Sequence, residues 1–169
     1  MSTRLLLLED DPAIARTVAY ALERDGLQVT HCLLVQDARQ QMQRHPFDVL
    51  VLDAFSSDSI PQHLLTLEAM QLYWQHLHRD GVLAVHVSNN YLDLTGLLRN
   101  QAASLGLQAY FIATPAQGAN PAAHWVLLTN NQRFMQQPQL QQALSHWLTP
   151  AQPAVSWTDQ HSNLLQVLK

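Results

Sequence analysis

Asp53 ends the apolar run FDVLVL and opens into AFSSDSIP, which carries a second carboxylate at Asp58. Two other runs end in the same way: RLLLL from Arg4 stops at Glu9, Asp10 and Asp11, and GVLAVHV from Gly81 stops at Ser88 and Asn89. Short apolar runs read as buried strands. In open parallel sheets ligands bind at the carboxyl ends of the strands. Carboxylates converging on that edge make either a site for a hard cation or a general base. Each also has a plainer use, with Asp11 capping a helix, Asp53 capping the loop after its strand and Asp58 solvated. For any one residue the plainer use carries more weight; for the set, function does.

The elements that must position these residues alternate between strand-like and helix-like period, the pattern of an α/β domain with a mostly parallel sheet. After RLLLL, Asp11 and Pro12 start a helix with Ile14, Val18 and Leu22 on one face, stopped at Gly26. LQVTHC is a strand, a helix follows around 37–44, and FDVLVLD is the third strand. Thr66 caps a helix carrying Met70, Trp74 and Leu77 and running toward Gly81. GVLAVHVSN is the fourth strand, and a helix over roughly 93–105 ends at Gly106. LQAYFIA and HWVLLTN are joined by TPAQGANPA, too short for a helical crossover, so these two strands are expected to be antiparallel. The expected order is second, first, third and fourth strand, then HWVLLTN, then LQAYFIA at the edge, with HWVLLTN alone reversed. A helix near 138–148 and an extended tail, VSWTDQHSNLLQVLK, complete a single expected domain, 1–169.

Composition narrows the functions. Of 169 residues 47% are apolar, enough for one core, and only 13% are charged. The net charge is −4, the arginines are scattered and Lys169 is the sole lysine, which argues against a nucleic-acid partner. One cysteine, Cys32, excludes an internal disulfide and suits a reducing compartment. No apolar run is long enough for a signal peptide or a membrane span. The expectation is a cytoplasmic protein without membrane or metal. His76 and His78 read as surface residues on different sides of a helix, and His86 as a satisfied core or cleft histidine. Trp74, Trp125 and Trp147 read as packing. Ser56 and Ser57 stand in no GxSxG elbow.

RLLLLEDDPAIARTVAYALERDGLQVTHC resembles the opening of a response-regulator receiver domain. That resemblance implies Glu9 and Asp10 as a magnesium-binding pair and Asp53 as phosphoacceptor. Receivers also carry a lysine beyond the fifth strand, whereas Lys169 stands at position 169, and the loop after Asp53 lacks their usual pattern.

From about residue 36 onward the sequence resembles the spermidine synthase family. The motifs are DAR at Asp37 to Arg39, FDVLVLDAFSSDSIPQHLLTLEA, HLHRDGVLAVHVSNNYLDL, HWVLLTN and WTDQHSNLLQVLK, in the family's order; LEDDPAIA also stands close to its EIDPAV strand end. The resemblance implies a three-layer, Rossmann-like fold of the S-adenosylmethionine-dependent methyltransferase type, with one antiparallel strand near the C-terminus. It implies aminopropyl transfer from decarboxylated S-adenosylmethionine to an amine. Asp53 is then the base, Glu9 the ribose ligand, and Asp37 with Ala38 the adenine site. Asp58, Asp159 and His161 become candidates for the polyamine. The five glycines, at 26, 81, 96, 106 and 118, form no GxG, so the family's glycine-rich loop is missing. Asp53 and Asp58 also stand farther apart than that family's paired loop aspartates. Low activity of the chain alone is therefore expected, with a homodimer or a complementing upstream segment as candidate partner. The alternatives are a receiver-like phosphoacceptor and a non-catalytic domain that binds a nucleoside or a protein.

Overall fold

The computed structural model describes residues 2–53, 61–118, 121–150 and 155–169. Seven strands form one sheet in the order β2-β1-β3-β4-β6-β5-β7. They are β1 (Arg4–Leu8), β2 (Gln28–Cys32), β3 (Phe47–Leu52), β4 (Leu77–His86), β5 (Gln108–Thr114), β6 (Ala123–Thr129) and β7 (Leu144–Ser145). The helices are α1 (Pro12–Arg24), α2 (Val35–Arg44), α3 (Leu67–His76), α4 (Thr95–Ser104), α5 (Gln132–Met135) and α6 (Pro138–Ala143). The architecture is the expected mostly parallel, three-layer α/β domain, with β6 antiparallel to both neighbours, β4 and β5.

The expected order holds from β2 to β5, and β1 pairs directly with β3 from Leu5↔Val49 to Leu8↔Leu52. Register here brings Glu9 and Asp53 to the same edge, because each follows the last residue of a paired strand. Three expectations are corrected, the first being the helix near 138–148, of which α6 keeps only Pro138–Ala143 before β7 begins. β6 is not alone in its direction, since β7 adds an antiparallel edge to β5 through Ile112 and Phe111. The Thr66-capped helix stops at His76, and Leu77 already pairs with Phe47 as the start of β4. His78 is therefore a strand residue, not a neighbour of His76 on one helix. The pairing slips between Phe47 and Val49, and Gly81 sits at that irregularity: a Cβ there would lie 2.8 Å from the His78 carbonyl oxygen.

Alternation along the strands gives each face its partners. Leu6, Leu8, Leu50, Leu52, Leu83, Val85, Phe111, Val126 and Leu128 join one core with residues of α2, α3 and α4. On the other face α1 buries Ala15. Asp11 caps α1 as its spacing predicts, accepting from the amides of Ala13 and Ile14 at 2.7 and 3.1 Å. After α1, Gly26 takes φ +89°, a left-handed turn that glycine adopts without strain.

The C-terminal segment is folded back rather than loose. Trp157 is fully buried, and its carbonyl accepts from the Leu67 amide at 2.8 Å. Gln101, also fully buried, donates to the carbonyls of Leu65 and Trp157 at 3.0 and 2.8 Å. This amide ties the segment to the start of α3. Farther on, Leu92 bridges Leu168, and the Lys169 ammonium bonds the Asn89 carbonyl. No helix among the described residues is long and apolar enough to cross a membrane.

Candidate functional site

Leu8 and Leu52 end their strands inside the core, so the next residues, Glu9 and Asp53, emerge side by side at the carboxyl edge. Glu9 is 2% exposed. One of its oxygens, Oε1, accepts from the Asp11 amide at 2.9 Å, and its carboxyl is hydrogen-bonded to Asp53. Burial raises the Glu9 carboxyl from its ordinary 4.5 to about 7; the Asp11 amide opposes the rise, and the charges of Asp53 and Asp10 add to it. Below neutrality Glu9 thus holds a proton on its side of the bond to Asp53.

Asp53 Oδ1 lies 2.6 Å from His86 Nδ1, and His86 Nε2 lies 2.8 Å from Ser88 Oγ. The His124 amide donates to the same Ser88 oxygen at 2.8 Å. Trp125 stacks on the His86 ring at 4.8 Å between centroids. Asp53 and Ser88 were legible as strand-end polar residues, and His86 as a satisfied core or cleft histidine. The chain joining them was not, because it depends on β3 and β4 lying side by side.

A cavity of about 840 Å³ opens beside this edge, between α2, α3 and the C-terminal segment. Leu8, Leu52, Ala38 and Met42 contribute to its apolar floor, and Thr66, Glu68 and Asp159 to a polar rim. The rim is braced: Thr66 caps α3 through the Ala69 amide at 3.2 Å and donates to Asp159 Oδ1 at 2.6 Å, while the Asp159 amide donates to Glu68 at 3.0 Å.

The structure therefore brings Glu9 and Asp53 together and places Ala38 and Asp159 on the adjoining cavity. Asp37 is exposed on the first turn of α2, next to Ala38. His161 is exposed in the turn it closes with Thr158 and does not line the cavity among the described residues. Asp58, like Ser56 and Ser57, lies outside the described residues. No group of three or more histidine, cysteine or acidic side chains able to hold a metal occurs among the described residues.

No protein-family model and no curated protein matches the sequence. Solved structures do match. A methyltransferase from Pyrococcus furiosus shares 12% identity at a TM-score of 0.53, over 76% of this chain and 75% of that one. A spermidine synthase in complex with the transition-state analogue AdoDATO shares 12% at 0.51, over 94% of this chain and 62% of that one. A probable spermidine synthase from Corynebacterium glutamicum shares 16% at 0.48, over 76% and 56%. The chain spans less than two thirds of both spermidine synthases. Its fold is the Rossmann-like fold of S-adenosylmethionine-dependent methyltransferases and spermidine synthases.

Proposed function

We propose that the domain binds an adenosyl thioether or sulfonium in the cavity and acts on an amine at the Glu9–Asp53 pair, as a spermidine-synthase-like aminopropyl-transfer domain of low activity on its own. One observation carries the reading: the cavity floor ends at Leu8 and Leu52, one residue short of the two carboxylates. About 840 Å³ lies within the range of nucleotide-sized ligand pockets. The apolar floor suits a purine, with Asp37 beside Ala38 to accept from its amino group. Asp159, Glu68 and Thr66 suit an ammonium or hydroxyls at the rim. Glu9 meets a ribose only by exchanging its bond to Asp53 for one to a hydroxyl.

Decarboxylated S-adenosylmethionine would supply a carbon made electrophilic by the adjacent sulfonium. The protein's part is to bind an alkylammonium, which has no lone pair, and to take its proton. An entering ammonium favours the doubly ionised Glu9–Asp53 pair, and Asp53 then accepts the proton that frees the attacking nitrogen. With no GxG in the chain, the close backbone wall of the family is missing; misplacement by about 1 Å already costs on the order of a hundredfold in rate. A second chain or an upstream segment carrying such a loop would restore it. The test is incubation with decarboxylated S-adenosylmethionine and putrescine, with spermidine read by mass spectrometry. Slow product formation that disappears in Asp53→Asn supports the proposal, and product formation unaffected by that change contradicts it.

Retention of nucleoside binding without transfer is the second reading. It is favoured by the satisfaction of Asp53 and Glu9 by His86, Asp11 and each other. Binding of methylthioadenosine with no spermidine formed at any enzyme concentration would select it.

A further inference from the structure

The bonds around His86 have a definite polarity. An ionised Asp53 can only accept, so His86 Nδ1 carries the hydrogen in their 2.6 Å contact and Nε2 is left with a lone pair. Ser88 must then donate its hydroxyl hydrogen to Nε2 across 2.8 Å. The His124 amide, donating to Ser88 Oγ at 2.8 Å, occupies an acceptor site on that oxygen and leaves the hydroxyl hydrogen committed to His86. Glu9, protonated below about pH 7, also donates toward Asp53, which holds that carboxylate as an orienting anion.

We propose that Ser88 is an activated nucleophile, with His86 as its general base and Asp53 as the group that orients His86, and that the site accepts the acyl group of small carboxylic esters. Nucleophile-to-base and base-to-orienter hydrogen bonds in sequence are the geometric signature of a serine triad, whatever the fold or chain order. The site is open to a reagent: the His86 and Asp53 side chains keep 25% and 17% exposure. Trp125, stacked on His86, offers an apolar wall for the acyl chain. The Lys169 ammonium, held on the carbonyl of Asn89, places a positive charge at the residue after Ser88. In the acylation step Ser88 Oγ bonds to the ester carbonyl carbon as its hydrogen passes to Nε2. The ester C–O bond then breaks, and the leaving alkoxide takes that proton as an alcohol. Water releases the acyl group as a carboxylic acid by the same route in reverse, returning the hydrogen to Ser88. Here Asp53 orients and does not act as the base for an amine, so the inference does not rest on aminopropyl transfer.

The test uses a fluorophosphonate probe on the intact chain, with peptide mapping by mass spectrometry. Covalent labelling at Ser88, at least tenfold faster in the folded chain than in urea and at least tenfold slower in His86→Gln, is expected. p-Nitrophenyl acetate hydrolysis should be lost in Ser88→Ala. Peptide mapping of the unaltered protein does not depend on any variant folding: absence of label on Ser88, or labelling no faster than of other serines, overturns the proposal. Equal labelling in folded His86→Gln overturns it as well.

Discussion

Replacing Glu9 by Gln isolates the proton that burial places on this carboxyl. Gln keeps the acceptor for the Asp11 amide, and its amide nitrogen donates toward Asp53 as the protonated acid does, but it does not titrate. In the folded chain the Glu9 carboxyl is raised from 4.5 to about 7, so between these values the native state holds a proton that the unfolded chain has released. Stability from this group is therefore complete below about pH 4.5, declines as pH rises toward 7, and is absent above. A tenfold change in proton affinity is worth about 1.4 kcal/mol, so the loss across this window is about 3 kcal/mol. Urea unfolding followed by circular dichroism from pH 4.5 to 8.5 measures it. Titrations away from this pair are common to both proteins and cancel in the difference. Glu9→Gln should match the parent at pH 4.5 and be about 3 kcal/mol more stable above pH 8. A difference that stays constant across that range would refute the account of a proton held on Glu9.

The same titration should make binding of a diamine such as putrescine tighten between pH 6 and 8, as Glu9 ionises; calorimetry showing no change over that range would count against the pair as the amine site. Gln101→Leu removes the bonds from α4 to the Leu65 and Trp157 carbonyls and leaves the Leu65 carbonyl without this partner, while Trp157 keeps the Leu67 amide, at a cost of about 1–3 kcal/mol measured by urea unfolding. Thr66→Val removes the α3 cap and the bond to Asp159 and should cost about 1–2 kcal/mol in the same assay. A small phosphodonor with magnesium should leave the intact mass unchanged, because the sole lysine is bonded to the Asn89 carbonyl; stoichiometric phosphorylation lost in Asp53→Asn would reverse that expectation.

Much of the scaffold was readable because single residues announce it. Asp11 and Pro12 mark the start of α1, Thr66 the start of α3, and the short link between β5 and β6 their antiparallel pairing. Where the reading slipped, a tertiary contact decided. The apolar spacing of Met70, Trp74 and Leu77 fits a helix, yet Leu77 pairs with Phe47 and begins β4. The two-residue β7 has no pattern of its own and exists because Ser145 meets Phe111 at the sheet edge. Of the site, Glu9 and Asp53 could be placed from sequence, since both directly follow strands. The role of His86 could not: alternation gives its face, but only the registry of β4 on β3 puts its ring on Asp53. The cavity was equally hidden, because it needs the C-terminal segment folded back by Gln101 and Thr66, and neither a mid-helix glutamine nor an N-cap threonine announces a partner so distant in sequence.

The adenosyl binding proposed for the cavity is the centre of the functional account, and calorimetric titration of the chain with methylthioadenosine tests it most directly. Saturable binding at one site per chain is expected, weakened roughly tenfold or more in Asp37→Ala, in line with about 1.5–3 kcal/mol for a charge-assisted hydrogen bond. No binding by the folded chain at millimolar nucleoside, or binding to which Asp37→Ala makes no difference, would contradict it.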